Sequence, residues 1–379
     1  MARILFIASH RPDRAPGQRF RFEQYFEHLQ RNGYQCELSY LVEENDDRVL
    51  YQRGHYLDKA RFVQRCISKR KADVARMDDY DIIFIFREAL MTRSTRFEKA
   101  FRRSRAKLVF DFDDAIWLQN VSEANRSWAW MKDPGKTSKI IGLCDLVFAG
   151  NAYLADYARR YNPNVTIVPT TIDTDEYRPA SRGGEGPVCI GWSGSITTIQ
   201  HFQYAIPALQ RLKARFGDRI TIRVVGDGSY RLPELGIEGL PWRRDTTELA
   251  DLGAMDIGIM PLPDDEWAKG KCGLKGLQYM GLGLPTIMSP VAVNSEIITD
   301  GVDGFLATTT DEWVEKLTRL VEDADLRRRM GEAARRTVEQ RYSVNAWKDR
   351  YVQHFDQLLN NEHHGSHNGT EKDRAHAPA

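Results

Sequence analysis

Short apolar runs separated by longer amphipathic segments recur along the whole chain, and this alternation limits its fold more than any other feature. The predicted strands of the first half are Ile4–Ala8, Ile82–Phe86, Leu108–Phe110, Leu146–Ala149 and Thr166–Val168. Those of the second half are Val188–Trp192, Ile220–Val225, Ile257–Met260 and Thr286–Met288. Helical patterns lie between them, among them Arg21–Asn32, Tyr153–Tyr161, Phe202–Phe216 and Lys275–Met280. A strand that is apolar without alternation is covered on both faces, the condition of a parallel sheet with helical crossovers. The expected class is therefore α/β, with the pattern appearing once in each half.

A chain of 379 residues suits two such domains. The stretch 178–187 is rich in Gly and Pro and stops just before a predicted strand, so it reads as a linker. The expected order is a domain over 1–177, the linker, a second domain over 188–340, a closing segment over 341–360 and a disordered polar tail over 361–379. The 54 basic and 53 acidic residues nearly cancel, which excludes a dedicated nucleic-acid binder. Five dispersed cysteines without a CxxC pair predict neither a disulfide framework nor a zinc site, and favour a reducing cytoplasm. The N-terminus lacks the pattern of a signal peptide, and no apolar run approaches the ~20 residues that span a bilayer.

Ligands of doubly wound sheets sit beyond the carboxyl ends of the strands, and in the first half these ends are polar. The first predicted strand leads to His10, Arg11 and the turn holding Gly17 and Arg19. The second ends in Arg87 and Glu88, the third in Asp111, Asp113 and Asp114, and the fourth in Gly150 and Asn151. If the strands are parallel, these groups converge on one crevice. Arg87–Glu88 reads equally as a structural ion pair, and the aspartates equally as helix caps. Three close carboxylates also fit Mg²⁺ or Ca²⁺, but no further ligand spacing accompanies them, so no metal is expected.

The second half offers places for an anion. Gly191-Trp-Ser-Gly194-Ser195 and Gly226-Asp227-Gly228 each follow a strand, and glycine lets backbone amides approach a phosphate. Neither loop has a dinucleotide fingerprint or P-loop spacing, and each fits a tight turn as well. In the segment 269–285, a helix would place Lys271, Lys275 and Gln278 on one stripe. Two cations beside Gly273 and Leu274 at a helix start suit a ligand that supplies the anion, the alternative being a solvated lysine face.

These residues resemble the GT4 family of retaining glycosyltransferases, which has the GT-B arrangement of two Rossmann-like domains facing across a cleft. The resemblance runs through Ala149–Ala158, Val168–Asp173, Gly191–Ser195, Val225–Gly228, Gln278–Thr286, Glu296–Ile298, Asp300–Phe305, Arg341–Ser343 and Trp347. Gly17–Glu23 and Phe110–Trp117 look like one branch of that family. Three features depart from it, the first being that the catalytic-loop histidine of many members falls by position at Asp113. The family's paired glutamates fall by position at Gly270 and Gln278, and the Arg and Lys that usually hold the diphosphate are missing from 193–200.

The resemblance implies transfer of a sugar from a nucleotide-diphosphate donor, UDP- or GDP-linked, to a glycan, lipid-linked or small-molecule acceptor, without a cofactor. Gly194, Ser195, Gly226, Asp227, Gly273, Leu274 and Gln278 are expected at the donor, with Lys271 and Lys275 on its diphosphate. Asp113 and Arg87 are expected at the reacting centre. Gly17, Arg19, Glu88, Asp111, Asp114 and Asn151 are expected on the acceptor side. An epimerase or phosphorylase on the same scaffold, or a noncatalytic nucleotide-sugar binder, remains an alternative reading.

The near-zero total hides an asymmetry. Residues 1–179 hold 30 basic and 25 acidic residues, and 51–110 alone hold 16 and 7. That segment reads either as a peripheral contact with the inner membrane face or as a solvated helix face.

Overall fold

The computed structural model describes residues 1–50, 54–118, 133, 135–179, 186–195, 198–242 and 246–360. Most of the linker expected at 178–187, and the tail at 361–379, lie outside these residues. The first half forms a parallel sheet of β1 (Ala2–Ile7), β2 (Tyr34–Ser39), β3 (Ile82–Phe86), β4 (Lys107–Phe112), β5 (Leu146–Ala149) and β6 (Val165–Ile167), in the order β2-β1-β3-β4-β5-β6. The second half contributes β7 (Val188–Ser193), β8 (Ile220–Gly226), a small hairpin of β9 (Arg231–Leu232) and β10 (Ile237–Glu238), β11 (Leu240–Pro241), β12 (Ile257–Met260), β13 (Thr286–Met288) and β14 (Phe305–Leu306). Its six-stranded sheet runs β11-β8-β7-β12-β13-β14, again all parallel. This is the two-sheet α/β fold that the alternation predicts.

Each strand splits its side chains between two cores. Leu5, Ile7, Ile83 and Ile85 face the helices Tyr56–Ala75, Arg96–Phe101 and Ala152–Arg159. Ile4, Phe6, Ile82 and Phe84 face Phe22, Tyr25 and the last helix, Val344–Asn360. That C-terminal helix therefore packs on the first sheet, where Tyr351 stacks on Tyr25 with ring centroids 4.4 Å apart. The chain thus passes between the halves twice. The two passes lie side by side, joined by Ile172 N–H to the Tyr342 carbonyl (2.8 Å) and Val344 N–H to the Ile172 carbonyl (3.0 Å).

Sequence and structure differ in two informative places. β2 has no apolar run, because it is an edge strand paired only with β1 and half of its side chains are partly exposed. The helix expected over Arg21–Asn32 is broken into Pro16–Arg21, a 3-10 turn at Glu23–Tyr25, and Phe26–Arg31. The break at Phe22 turns Arg21 inward and keeps Phe22 in the core.

Arg70 looks from sequence like part of the basic face of its helix, yet it is fully buried. Its guanidinium donates to the carbonyls of Ala8 (2.7 Å) and Ala89 (2.6 Å), to Ser39 Oγ (2.9 Å) and to Asp73 (2.8 Å). It thereby ties together the carboxyl ends of β1, β2 and β3. Removing one member of a buried, hydrogen-bonded ion pair leaves an uncompensated charge. Arg70→Met should therefore cost about 3–5 kcal/mol, read as a lower urea midpoint at unchanged slope.

Candidate functional site

Both sheets reverse direction of strand addition at one point, between β1 and β3 in the first and between β7 and β12 in the second. Loops at such a point diverge and leave a crevice. In the first domain, Arg87 occupies it immediately after β3, held at φ +62°, a left-handed backbone that non-glycine residues rarely adopt. Its guanidinium donates to Asp113 (2.8 Å) and Asp114 (2.7 Å). Gly17 lies against this pair: a Cβ there would stand 2.9 Å from Asp113 Oδ2 and 3.3 Å from the Arg87 guanidinium. His10 is beside it at the end of β1, its Nδ1 buried without a partner. Burial and then the Arg14 charge lower its pKa to about 4, so the imidazole is neutral at physiological pH.

Other groups expected on this side are committed elsewhere. Asp111 is fully buried, and both its oxygens are held by Arg21, whose guanidinium also reaches the Val168 carbonyl. Glu88 takes the Lys136 ammonium at 2.7 Å. Asn151 caps the helix Ala152–Arg159 through Leu154 N–H (2.9 Å). Its amide nitrogen crosses to the second domain, donating to the Lys269 and Lys271 carbonyls (3.1 and 2.9 Å). Arg19, buried, also crosses the boundary, binding Glu176 (2.6 Å) and Glu248 (3.1 Å).

In the second domain the loops after β7 and β8 touch. A Cβ on Gly226 (φ +135°) would fall 1.7 Å from the Gly194 carbonyl oxygen, so the close approach of the loops itself requires glycine. Ser195 N–H bonds Thr198 Oγ1 at 2.9 Å, and Asp227 is taken up by Ser229 in its own turn. Gly273, at φ +72°, opens the helix Leu274–Gly281, with Leu274 half-buried beside it. Tyr279 on that helix accepts from Ser193 N–H at 2.6 Å and fixes the helix to the end of β7.

The two lysines behave differently. Lys271 donates to Asp114 across the domain boundary at 2.7 Å. Burial alone would raise the Asp114 carboxyl, but Lys271 and Arg87 outweigh it and hold the group below the usual carboxylate range. Lys275 is half-buried over the Trp192 ring (5.6 Å) and has no hydrogen-bond or ion-pair partner among the described residues. Desolvation and the Lys271 charge lower its pKa to about 8. His201, buried with an unpartnered Nδ1, lies within reach of both ammonium charges, and burial with those charges lowers it to about 4. No sequence pattern marks it, since it sits in a 3-10 turn after the β7 loop.

Gly270 explains one of the departures described above. A Cβ there would stand 2.6 Å from Ala115 N and 2.7 Å from Ala115 Cβ, so no side chain fits while the domains are in contact. Gln278 is buried, and its amide nitrogen donates to Tyr177 Oη (2.9 Å) and Glu248 (3.2 Å). Both N–H donors are used within the protein, and no donor among the described residues reaches its carbonyl oxygen. Glu248 is the residue that motif reading missed, being separated from Gln278 by 30 positions. A cavity of about 390 Å³ lies beside the double crossing, between Asn151 and Trp347, and neither Arg87 nor Lys275 is among its lining residues. Among the described residues no group of three His, Cys, Asp or Glu could hold a metal ion.

Residues 187–323 match the family model for glycosyl transferases group 1. That match and the fold together support a GT-B glycosyltransferase. A glycosyltransferase from Rickettsia africae superposes with TM-score 0.66 at 14% identity, over 95% of this chain and 99% of that one. A sucrose-phosphate synthase from Thermosynechococcus elongatus gives 0.67 at 14%, over 95% and 100%. Anabaena HepE, in complex with UDP-glucose, gives 0.65 at 15%, over 94% and 100%. At these identities the likeness is one of fold. No curated protein matches the sequence.

The contact between Gln278 and Glu248 yields a charge test. Gln278→Glu sets two buried carboxylates together, and one of them is driven to take a proton. The variant should lose about 1–3 kcal/mol at neutral pH. Because the folded-state pKa is raised, the loss should shrink as pH falls, and Glu248→Gln in the same chain should restore neutral-pH stability. Urea midpoints at neutral and mildly acidic pH check both outcomes.

Proposed function

We propose that this chain transfers a sugar from a UDP- or GDP-linked donor to an acceptor hydroxyl, with retention at the anomeric carbon. The observation that carries the reading is Lys275, a half-buried ammonium with no hydrogen-bond or ion-pair partner among the described residues, at the switch point of a group 1 glycosyltransferase domain. Holding a cation out of water is unfavourable unless an anion joins it, and a diphosphate is an anion of suitable charge. The fold neighbour crystallised with UDP-glucose supports a nucleotide-sugar donor.

In this reading the nucleotide diphosphate lies on the second domain, with Lys275 and the Gly273–Leu274 amides facing its oxygens. Lys271 joins them when Asp114 releases it. The Gln278 carbonyl accepts from a donor hydroxyl, since its N–H groups are held by Tyr177 and Glu248. The bond from the anomeric carbon to the phosphate oxygen breaks, and the acceptor oxygen bonds to the same face of that carbon. The acceptor proton passes to the leaving phosphate. Negative charge grows on the phosphate in the transition state, and donors already aimed at it lower the barrier. Arg87 and Asp113 orient the acceptor, and contact between the domains keeps out water that would hydrolyse the donor.

Lys275→Ala should lower turnover by about 100–1,000-fold. It should also weaken UDP or GDP binding by at least about tenfold, measured calorimetrically; unchanged binding would remove the assigned role. Lys275 is charged only below its pKa, so nucleotide affinity should be level under neutral conditions and fall as pH rises through about 8. Lys275→Arg should abolish that fall. For the acceptor side, Asp113→Asn should reduce transfer more than nucleotide binding, and equal losses would place Asp113 with the donor. Donor epimerisation without an acceptor, followed by proton NMR of the sugar ring couplings, would favour the epimerase reading instead.

A further inference from the structure

The cavity beside the double crossing is built from both halves of the molecule. Asn151 and Pro169 follow β5 and β6 of the first sheet, and Glu296 follows β13 of the second. Tyr342 lies on the returning crossing, and Trp347 and Arg350 stand on the C-terminal helix. Its volume, about 390 Å³, falls within the ~300–1,000 Å³ of small-molecule sites. One wall is shared with the domain contact. Asn151 lines the cavity while its amide nitrogen holds the Lys269 and Lys271 carbonyls, and the Lys271 ammonium reaches Asp114. Parting the domains would draw Glu296 away from Asn151 and open the cavity.

The charged groups on its lining are not matched within the protein. Arg350 lies over the Trp347 ring (5.0 Å) and Arg341 over the Tyr342 ring (5.1 Å). Arg341 donates to the Glu296 carbonyl (3.0 Å) and to Tyr342 Oη (3.2 Å), but neither guanidinium has a carboxylate partner among the described residues. The Glu296 carboxylate has no hydrogen-bond or ion-pair partner among them either. Nearby acids are engaged elsewhere, Glu339 with Arg335 (2.6 Å) and Asp349 with His28 (2.9 Å). The lining thus holds two guanidiniums and one carboxylate, a surplus of one positive charge. A single carboxylate balances that surplus, whereas a doubly charged phosphate exceeds it. Guanidinium binds carboxylate through two parallel hydrogen bonds. Glu296 adds an acceptor for hydroxyl groups, and the Trp347 and Tyr342 rings add apolar surface for the carbon face of a sugar ring.

We propose that this cavity is a second ligand site that binds a uronate, a sugar bearing one carboxylate, with Arg341 and Arg350 on the carboxylate and Glu296 on ring hydroxyls. Its walls come from both halves, so the bound uronate favours the arrangement in which Asn151 meets the Lys269 and Lys271 carbonyls. The same arrangement encloses the nucleotide in the proposed transfer. Uronate and nucleotide then strengthen each other's binding, and by the same factor. The coupling rests on the transfer reading, whereas uronate binding is measured without nucleotide and fails or stands by itself.

Calorimetry of the full chain with glucuronate, glucose and acetate tests the site. Glucuronate should bind, and glucose and acetate should each bind at least about tenfold more weakly. Arg350→Glu should weaken glucuronate binding by at least about tenfold, while the unfolding midpoint and the affinity for UDP or GDP measured without glucuronate stay those of the parent. Saturating glucuronate should raise nucleotide affinity about fivefold or more, and saturating nucleotide should raise glucuronate affinity equally. Acetate binding as tightly as glucuronate would mark a plain anion site and overturn the proposal. Glucose binding as tightly, or glucuronate binding indifferent to Arg350→Glu, would overturn it by removing the guanidiniums from recognition. Glycosylated glucuronate formed in the presence of a nucleotide-sugar would place the uronate at the acceptor position and overturn the second site. Nucleotide affinity unmoved by glucuronate would overturn the coupling.

Discussion

The buried pair of Arg21 and Asp111 is the point on which the first domain's crevice depends. Arg21 comes from the broken helix after β1, Asp111 from β4, and the guanidinium also binds the Val168 carbonyl beyond β6. One side chain thus links three segments far apart in sequence, at depths where water cannot take over either charge. Such a pair is poor evidence of stability, because apolar residues of equal volume would do as well or better. Its value is geometric: two charges that must find each other specify which loops meet. Arg87, Asp113 and Gly17 are assembled directly above it, and Arg87 adopts its uncommon backbone within that frame.

From this base the charges continue outward and across the boundary, from Arg87 to Asp114 and from Asp114 to Lys271. The chain of alternating signs ends at Lys271, and the neighbouring Lys275, half-buried over Trp192, has no hydrogen-bond or ion-pair partner among the described residues. Both cations of that chain are balanced within the protein. Gly270 and Gln278 fit the same arrangement. At one position the domains touch backbone to side chain, and at the other an amide takes the place beside a carboxylate that a second carboxylate would contest.

The sequence made some of this legible and hid the rest for physical reasons. Buried central strands such as Ile82–Phe86 and Ile257–Met260 are plain, because burial on both faces demands an unbroken apolar run. The edge strand Tyr34–Ser39 is not, since one neighbour and partial exposure impose no such demand. Convergence of Arg87, Asp113 and Asp114 follows from parallel topology alone. Which carboxylate faces which cation does not, so Asp111, Arg19 and Asn151 could not be separated from residues open to the crevice. Arg70 and Lys71 are adjacent and chemically alike, yet one is internal and the other exposed. Glu248 was out of reach of any spacing argument, because its contact with Gln278 is made by folding and not by a helix repeat.

The paired crossings between the halves bear on how the molecule can move. A single connecting strand would let one domain swivel freely about it. Two strands joined by hydrogen bonds on both sides of Ile172 act instead as the leaf of a door hinge, stiff to torsion and soft to bending across its width. A bend across the width of that pair would part Ala115 from Gly270, whereas a twist about it would break the hydrogen bonds at Ile172.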